Sequence, residues 1–176
     1  MFEIGSRVVY RAEGVCVVSD IRNENFGTIG KEEQYYILTP INDGRSTVFV
    51  PLANELLVGY MRELMSAEEI NAMVDEIREE RLEWPTDNRA RNNVFKETLA
   101  LGERRQLCVL VNTVTEKLEK AAALGKKAGT TDLGVLHKAL TMLYEEFSAT
   151  TDIDTPEKIL PLLRGEIKLG EKALES

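Results

Sequence analysis

"RSTVFVPLANELLVGYMRELMSAEEINAMVDEI", Arg45 to Ile77, changes its periodicity partway along. Thr47, Val48, Phe49, Val50 and Pro51 are β-branched or aromatic and end on proline, which is the composition of a short strand. Further on, Ser66-Ala67-Glu68-Glu69 is a capping box, and Ile70, Met73, Val74 and Ile77 then recur at helical spacing. The chain therefore reads as a strand-rich part, residues 1–57, followed by a helical part, residues 58–176.

On the N-terminal side the same strand grammar repeats. "RVVY", "GVCVVSDI" and "EQYYILTP" are rich in Val, Ile, Tyr and Thr and are separated by Gly, Asn and Asp. "NENFGTIGKEE" predicts a hairpin loop with glycines at its tip, and Asp43-Gly44 in "INDGRS" predicts a second turn. Strands this short and close together predict a small barrel, because the sheet has to curl to hide its few apolar side chains.

On the C-terminal side the first helix is expected to run to about Leu82, with Pro85 as its stop. Thr86, Asp87 or Asn88 can cap a second helix that carries Val94, Phe95 and Leu99 and closes at Gly102. Leu107, Leu110, Val111, Val114 and Leu118 make the apolar stripe of a third helix, ended by "LGKKAGTT". Its expected partner starts after Thr131 or Asp132 and carries Leu136, Leu140, Leu143 and Phe147. Thr155 and Pro156 open a last helix, although Pro161 removes a backbone donor early in it. The fold class is α+β, a small β-barrel followed by a compact all-helical domain.

Composition narrows function mostly by exclusion. The 176 residues are 43% hydrophobic and 30% charged, enough for a packed core and unlike a disordered chain. The net charge of −8 opposes nucleic-acid binding unless the positive residues are gathered in one place. There is no apolar run of membrane-spanning length and "MFEIGSRVVY" lacks a signal-peptide layout, so a cytoplasmic protein without a membrane partner is expected. Cys16 and Cys108 sit in apolar surroundings and read as buried free thiols.

Catalysis finds little support. The single histidine, His137, lies mid-helix with no carboxylate or nucleophile partner in view. No phosphate-binding glycine loop and no Cys/His spacing suited to zinc occurs. The acidic residues of "AEEINAMVDEIREER" have the spacing of a solvated helix face. No enzyme activity, cofactor, metal or small-molecule substrate is expected.

Two binding features remain. Between Arg89 and Arg105 stand Arg89, Arg91, Lys96, Arg104 and Arg105 against Glu97 and Glu103, a local +3 inside an acidic chain. Just ahead of them is Trp84, the one tryptophan, beside Pro85. The indole could face a base step or groove wall while the cations contact phosphates, or it could cover the seam between two helices. The strand Thr47 to Pro51 is equally open: either it is paired on both sides, or it is a sheet edge that another protein's strand can join.

"FEIGSRVVYRAEGVCVV", then "YYIL", then "TVFVP" resembles the RNA-polymerase-interacting module of the bacterial CarD/CdnL family, which the transcription-repair coupling factor also carries. Trp84 before "RARNNVFKETLALGE", with the "LCVLVNTVTEKL" and "ALTMLYEEFSATTDI" helices, resembles the helical domain of CarD/CdnL proteins. The resemblance implies a transcription regulator whose Tudor/SH3-like barrel docks on the RNA polymerase β subunit by adding an edge strand, here Thr47, Val48, Phe49, Val50 and Pro51. It also implies that the helical domain contacts promoter DNA at the upstream edge of the melted region and stabilises the open complex. The wedging tryptophan falls by position on Trp84, and the phosphate-facing role on Arg89, Arg91 and Lys96, with Arg104 and Arg105 beyond. Three departures stand out: Ser6 where the family usually has Asp, Phe49 where some relatives carry Arg, and an acidic "REERLEW" before the tryptophan. The rival reading is a protein-only adaptor on the polymerase, without direct DNA contact.

Overall fold

The computed structural model describes residues 1–26 and 32–173, and divides them into two compact units, Met1–Leu64 and the remainder from Met65. Gly27 and Gly30, the expected tip of the first hairpin, lie outside the described residues.

In the first unit, β1 (Arg7–Tyr10), β2 (Val15–Glu24), β3 (Glu33–Pro40) and β4 (Val48–Pro51) fall on the four strand-like stretches of the sequence. Two elements were not legible there: a short helix α1 (Glu55–Gly59), capped by the Asn54 side chain, and β5 (Met61–Arg62). All pairings are antiparallel, in the order β4-β3-β2-β1-β5. The expected barrel is thus not closed. The α+β class holds, but the sheet is open, and β4 and β5 are its two edges. A register shift between Val18 and Asp20 marks a bulge in β2, which bends the sheet without joining its ends.

Val8, Tyr10, Cys16, Val18, Tyr36, Leu38, Val50 and Met61 form the core of this unit. Met61 explains why the unit extends past residue 57: β5 pairs with Val9 and Tyr10 and brings its methionine into that core. A two-residue strand is too short to show alternation in the sequence.

The second unit is helical. Its α2 (Ala67–Ile77) starts at the capping box, with Ser66 Oγ accepting from Glu69 N–H and the Glu69 carboxylate accepting from Ser66 N–H at 2.8 Å. It ends at Ile77, well before Leu82. Asn112 donates a side-chain N–H to the Ile77 carbonyl, and the Leu82 N–H is held by Thr113 Oγ1 at 2.8 Å, so tertiary partners replace the next helical turn. Then come α3 (Asn88–Leu101), α4 (Arg104–Ala123), α5 (Thr130–Phe147), a 3₁₀ turn over Pro156–Lys158 and α6 (Ile159–Leu163). Asp87 caps α3, and Gly102 closes it with φ 60°, a left-handed conformation that glycine adopts at low cost. Leu107, Leu110, Val111 and Val114 pack with Ile70, Val74, Ile77, Leu143 and Phe147 in one core.

The tail beyond α6 is stitched to α2. The Asn71 amide donates to the Leu169 carbonyl at 2.9 Å and accepts the Leu169 N–H at 3.0 Å, which imitates a strand pairing. The Glu171 carboxylate accepts the Ala67 N–H at 2.8 Å, at the α2 N-terminus where negative charge is favoured. Asn71→Ala leaves both backbone groups of buried Leu169 without these partners, and a loss of about 1–3 kcal/mol in denaturant unfolding is expected. An unchanged midpoint would show that water replaces the amide fully.

Candidate nucleic-acid interface and docking edge

Trp84 lies in the irregular segment between α2 and α3. Two contacts to α4 fix that segment: Arg81 Nε pairs with Glu116 at 2.6 Å, and Leu82 N–H bonds Thr113. The indole is half-buried, packed against the core of the helical unit. Phe95 of α3 meets it edge-on, with centroids 5.8 Å apart at 61°. The Arg91 guanidinium carbon lies 4.9 Å from the ring centroid and the Lys117 ammonium 5.6 Å from it. Trp84 is therefore not the fully displayed ring that a wedge suggests. It sits at the seam of α3 and α4 with part of its surface open to solvent.

The expected cationic cluster separates into three groups. Arg104 is buried, 8% exposed, and pairs with the buried Glu146 of α5 at 2.6 Å, which turns its charge inward. Arg105 pairs with Glu76 at 3.0 Å and Glu80 at 2.6 Å on α2, which also draws its charge inward. Arg91 is enclosed beside the indole. Arg89 and Lys96, by contrast, are exposed and make no ion pair among the described residues. Seven residues apart on α3, they share one face about 10 Å apart.

Lys117, which no sequence pattern singles out, lies beside the indole with Arg91. It follows Glu116 in what reads as an ordinary charged stretch, and only helix packing brings it to Trp84. Arg104 and Arg105, at the other end of α4, lie about 18 Å from it by helical rise.

Hydrogen bonds from Lys120 and then Arg81 lower the Glu116 carboxyl from its ordinary 4.5 to about 2. A depressed folded value contributes stability that is complete above 4.5 and lost as the pH falls through about 2. The stability difference between wild type and Glu116→Gln should therefore be constant near neutral pH and shrink across that acid window. A gap that persisted at the lowest pH would contradict the pairing.

The first unit offers an edge. Beyond its partner β3, β4 faces no other strand among the described residues. Val50 is buried and Val48 partly so, while Phe49 turns to the other face, 36% exposed. There it meets Phe26, itself 59% exposed, with centroids 4.8 Å apart, and Tyr35 at 6.4 Å. Phe26 and Tyr35 touch in turn at 5.3 Å. Thr47 precedes the strand and is exposed, and Pro51 ends it half-buried. Three rings in mutual edge-to-face contact beside an open strand form an exposed apolar surface that strand periodicity alone did not reveal.

Nothing comparable suggests catalysis. Both cysteines are free and buried; burial pushes the Cys16 thiol up to about 12 and raises Cys108 as well, so neither is an activated nucleophile. Among the described residues no cluster of His, Cys, Asp or Glu could hold a metal ion, and no helix is long and apolar enough to cross a membrane.

The chain thus combines an open antiparallel sheet with an aromatic edge and, in a second unit, helices that frame one tryptophan with cations. Residues 2–65 match the CarD-like/TRCF RID domain. That domain family is an RNA-polymerase-β-interacting one. No curated protein matches the chain.

The Arg104–Glu146 pair yields a stability prediction. Glu146→Gln strands a buried guanidinium and should cost about 3–5 kcal/mol, whereas Arg104→Met with Glu146→Leu should recover much of that loss. Chemical denaturation of both variants measures it; equal destabilisation would show that packing at these positions, not charge, is decisive.

Proposed function

We propose that this protein is a transcription regulator that binds the RNA polymerase β subunit through β4 and stabilises the promoter open complex from its helical unit. The family match over residues 2–65 carries the reading. Edge addition suits β4, whose outer side has no partner strand among the described residues. The Phe26, Tyr35 and Phe49 cluster supplies an apolar anchor beside it, in place of a charged one.

The DNA-contacting group in this proposal is Trp84 at the upstream edge of the bubble, with Arg89, Lys96 and Lys117 facing phosphates. A net charge of −8 is compatible with this role. Docking on polymerase turns the DNA contact into an intramolecular one, so a small cationic patch suffices. The protein then acts by binding the open complex more tightly than the closed one, and about 1.4 kcal/mol of such preference changes their ratio tenfold. An indole edge at unstacked base steps is suited to that preference.

A protein-only adaptor is the second reading. It is favoured by the half-burial of Trp84 and by the internal pairing of Arg104 and Arg105. Open-complex lifetime with the cognate polymerase separates the two. Wild type should prolong the lifetime, and Trp84→Ala, still bound to polymerase, should lose most of the gain; equal lifetimes would favour the adaptor. Phe49→Ala should weaken polymerase binding by about 1–2 kcal/mol, roughly tenfold, with little change in its salt dependence. Unaltered affinity would move the docking surface away from the aromatic edge.

A further inference from the structure

Arg91 is held more firmly than a phosphate-seeking side chain needs to be. Its Nη1 donates to the Pro85 carbonyl at 3.3 Å and its Nη2 to Asn88 Oδ1 at 2.8 Å. Its Nε lies 3.8 Å from Oδ1 of Asp132, in the first turn of α5. The two side chains of that ion pair are only 15% and 17% exposed, so solvent screens it weakly. Three anchors on three segments fix both the position and the plane of the guanidinium, and the indole lies 4.9 Å from it. The Pro85 carbonyl belongs to the residue that follows the tryptophan, so Arg91 grips the backbone and the ring of the same short segment. Phe95 and Lys117 complete the frame around the indole.

We propose that Arg91 and Asp132 are positioning residues for Trp84: Asp132 orients the Arg91 guanidinium, and Arg91 holds the indole in one orientation. The inference rests on the reading of Trp84 as the DNA-contacting group for its functional consequence, but not for its structural content. A half-buried ring on an irregular segment needs such a frame, because χ1 and χ2 would otherwise be free to turn the open edge away from its target. It also separates Arg91 from Arg89 by mechanism. A phosphate contact tolerates lysine, whereas a stacked, forked guanidinium does not.

Because Trp84 is the one tryptophan of the chain, its fluorescence reports this frame directly. Emission maximum and acrylamide quenching would be measured for wild type, Asp132→Asn, Asp132→Glu, Arg91→Lys and Arg89→Lys, each with far-UV circular dichroism to confirm folding. Asp132→Asn and Arg91→Lys should shift the emission to the red and raise quenching, Asp132→Glu should restore most of the wild-type signal, and Arg89→Lys should leave it unchanged. Should Asp132→Asn fail to fold, Arg91→Lys carries the test alone. Unchanged emission and quenching in folded Arg91→Lys would overturn the proposal. The same variants in the open-complex assay isolate the functional layer. If Arg91→Lys shortens the lifetime as Trp84→Ala does and Asp132→Glu keeps it, positioning matters for function. If emission shifts but Trp84→Ala itself leaves the lifetime unaltered, the frame stands and the DNA-contact reading falls.

Discussion

The burial of α4 from Leu107 through Thr115 is the constraint on which the helical unit depends. A helix enclosed on all sides has to satisfy buried polar groups from its neighbours, and Asn112 and Thr113 of α4 do so while fixing those neighbours in place. Thr113 takes the Leu82 N–H, Asn112 bonds the last carbonyl of α2, and at its start Arg104 meets Glu146 of α5. The segment that carries Trp84 is thus shaped by α4 before any functional demand is placed on it. Arg81 and Glu116 close the same segment from the solvent side.

This arrangement makes sense of a binding surface in an acidic chain. Most of the arginines of the helical unit, including Arg81, Arg91, Arg104 and Arg105, are paired with carboxylates that hold helices together. What is left is modest: Lys117 beside the indole, and Arg89 and Lys96 exposed on α3. In the proposed role, so few cations are weak for free DNA and adequate for DNA already presented by a docked polymerase. The first unit shows a matching economy, since its open edge lies beside three aromatic rings rather than a set of charges.

Strands and helices with strong local patterns were legible in the sequence. Ser66, Asp87 and Gly102 each mark a boundary by chemistry that acts within a few residues, and all three stand where their residue type predicts. What was not legible depends on partners far along the chain. The early end of α2 is imposed by Asn112 and Thr113, β5 is held by its pairing with β1, and among the described residues no pairing joins β4 to β5 to close a barrel. The candidate site divides in the same way. Trp84 and the strand at Phe49 could be singled out from residue type, but the local +3 was a count along the chain. In three dimensions Arg104 and Arg105 leave the cluster for Glu146, Glu76 and Glu80, and Lys117 joins it.

The central claim is that position 84 meets promoter DNA when the protein is bound to polymerase. A short photo-crosslinking side chain placed at residue 84, irradiated in the complete polymerase–promoter open complex, tests this most directly. The account predicts adducts on DNA at the upstream edge of the bubble, lost when β4 docking is disrupted. Adducts confined to polymerase subunits would contradict it and leave the helical unit a protein-binding domain.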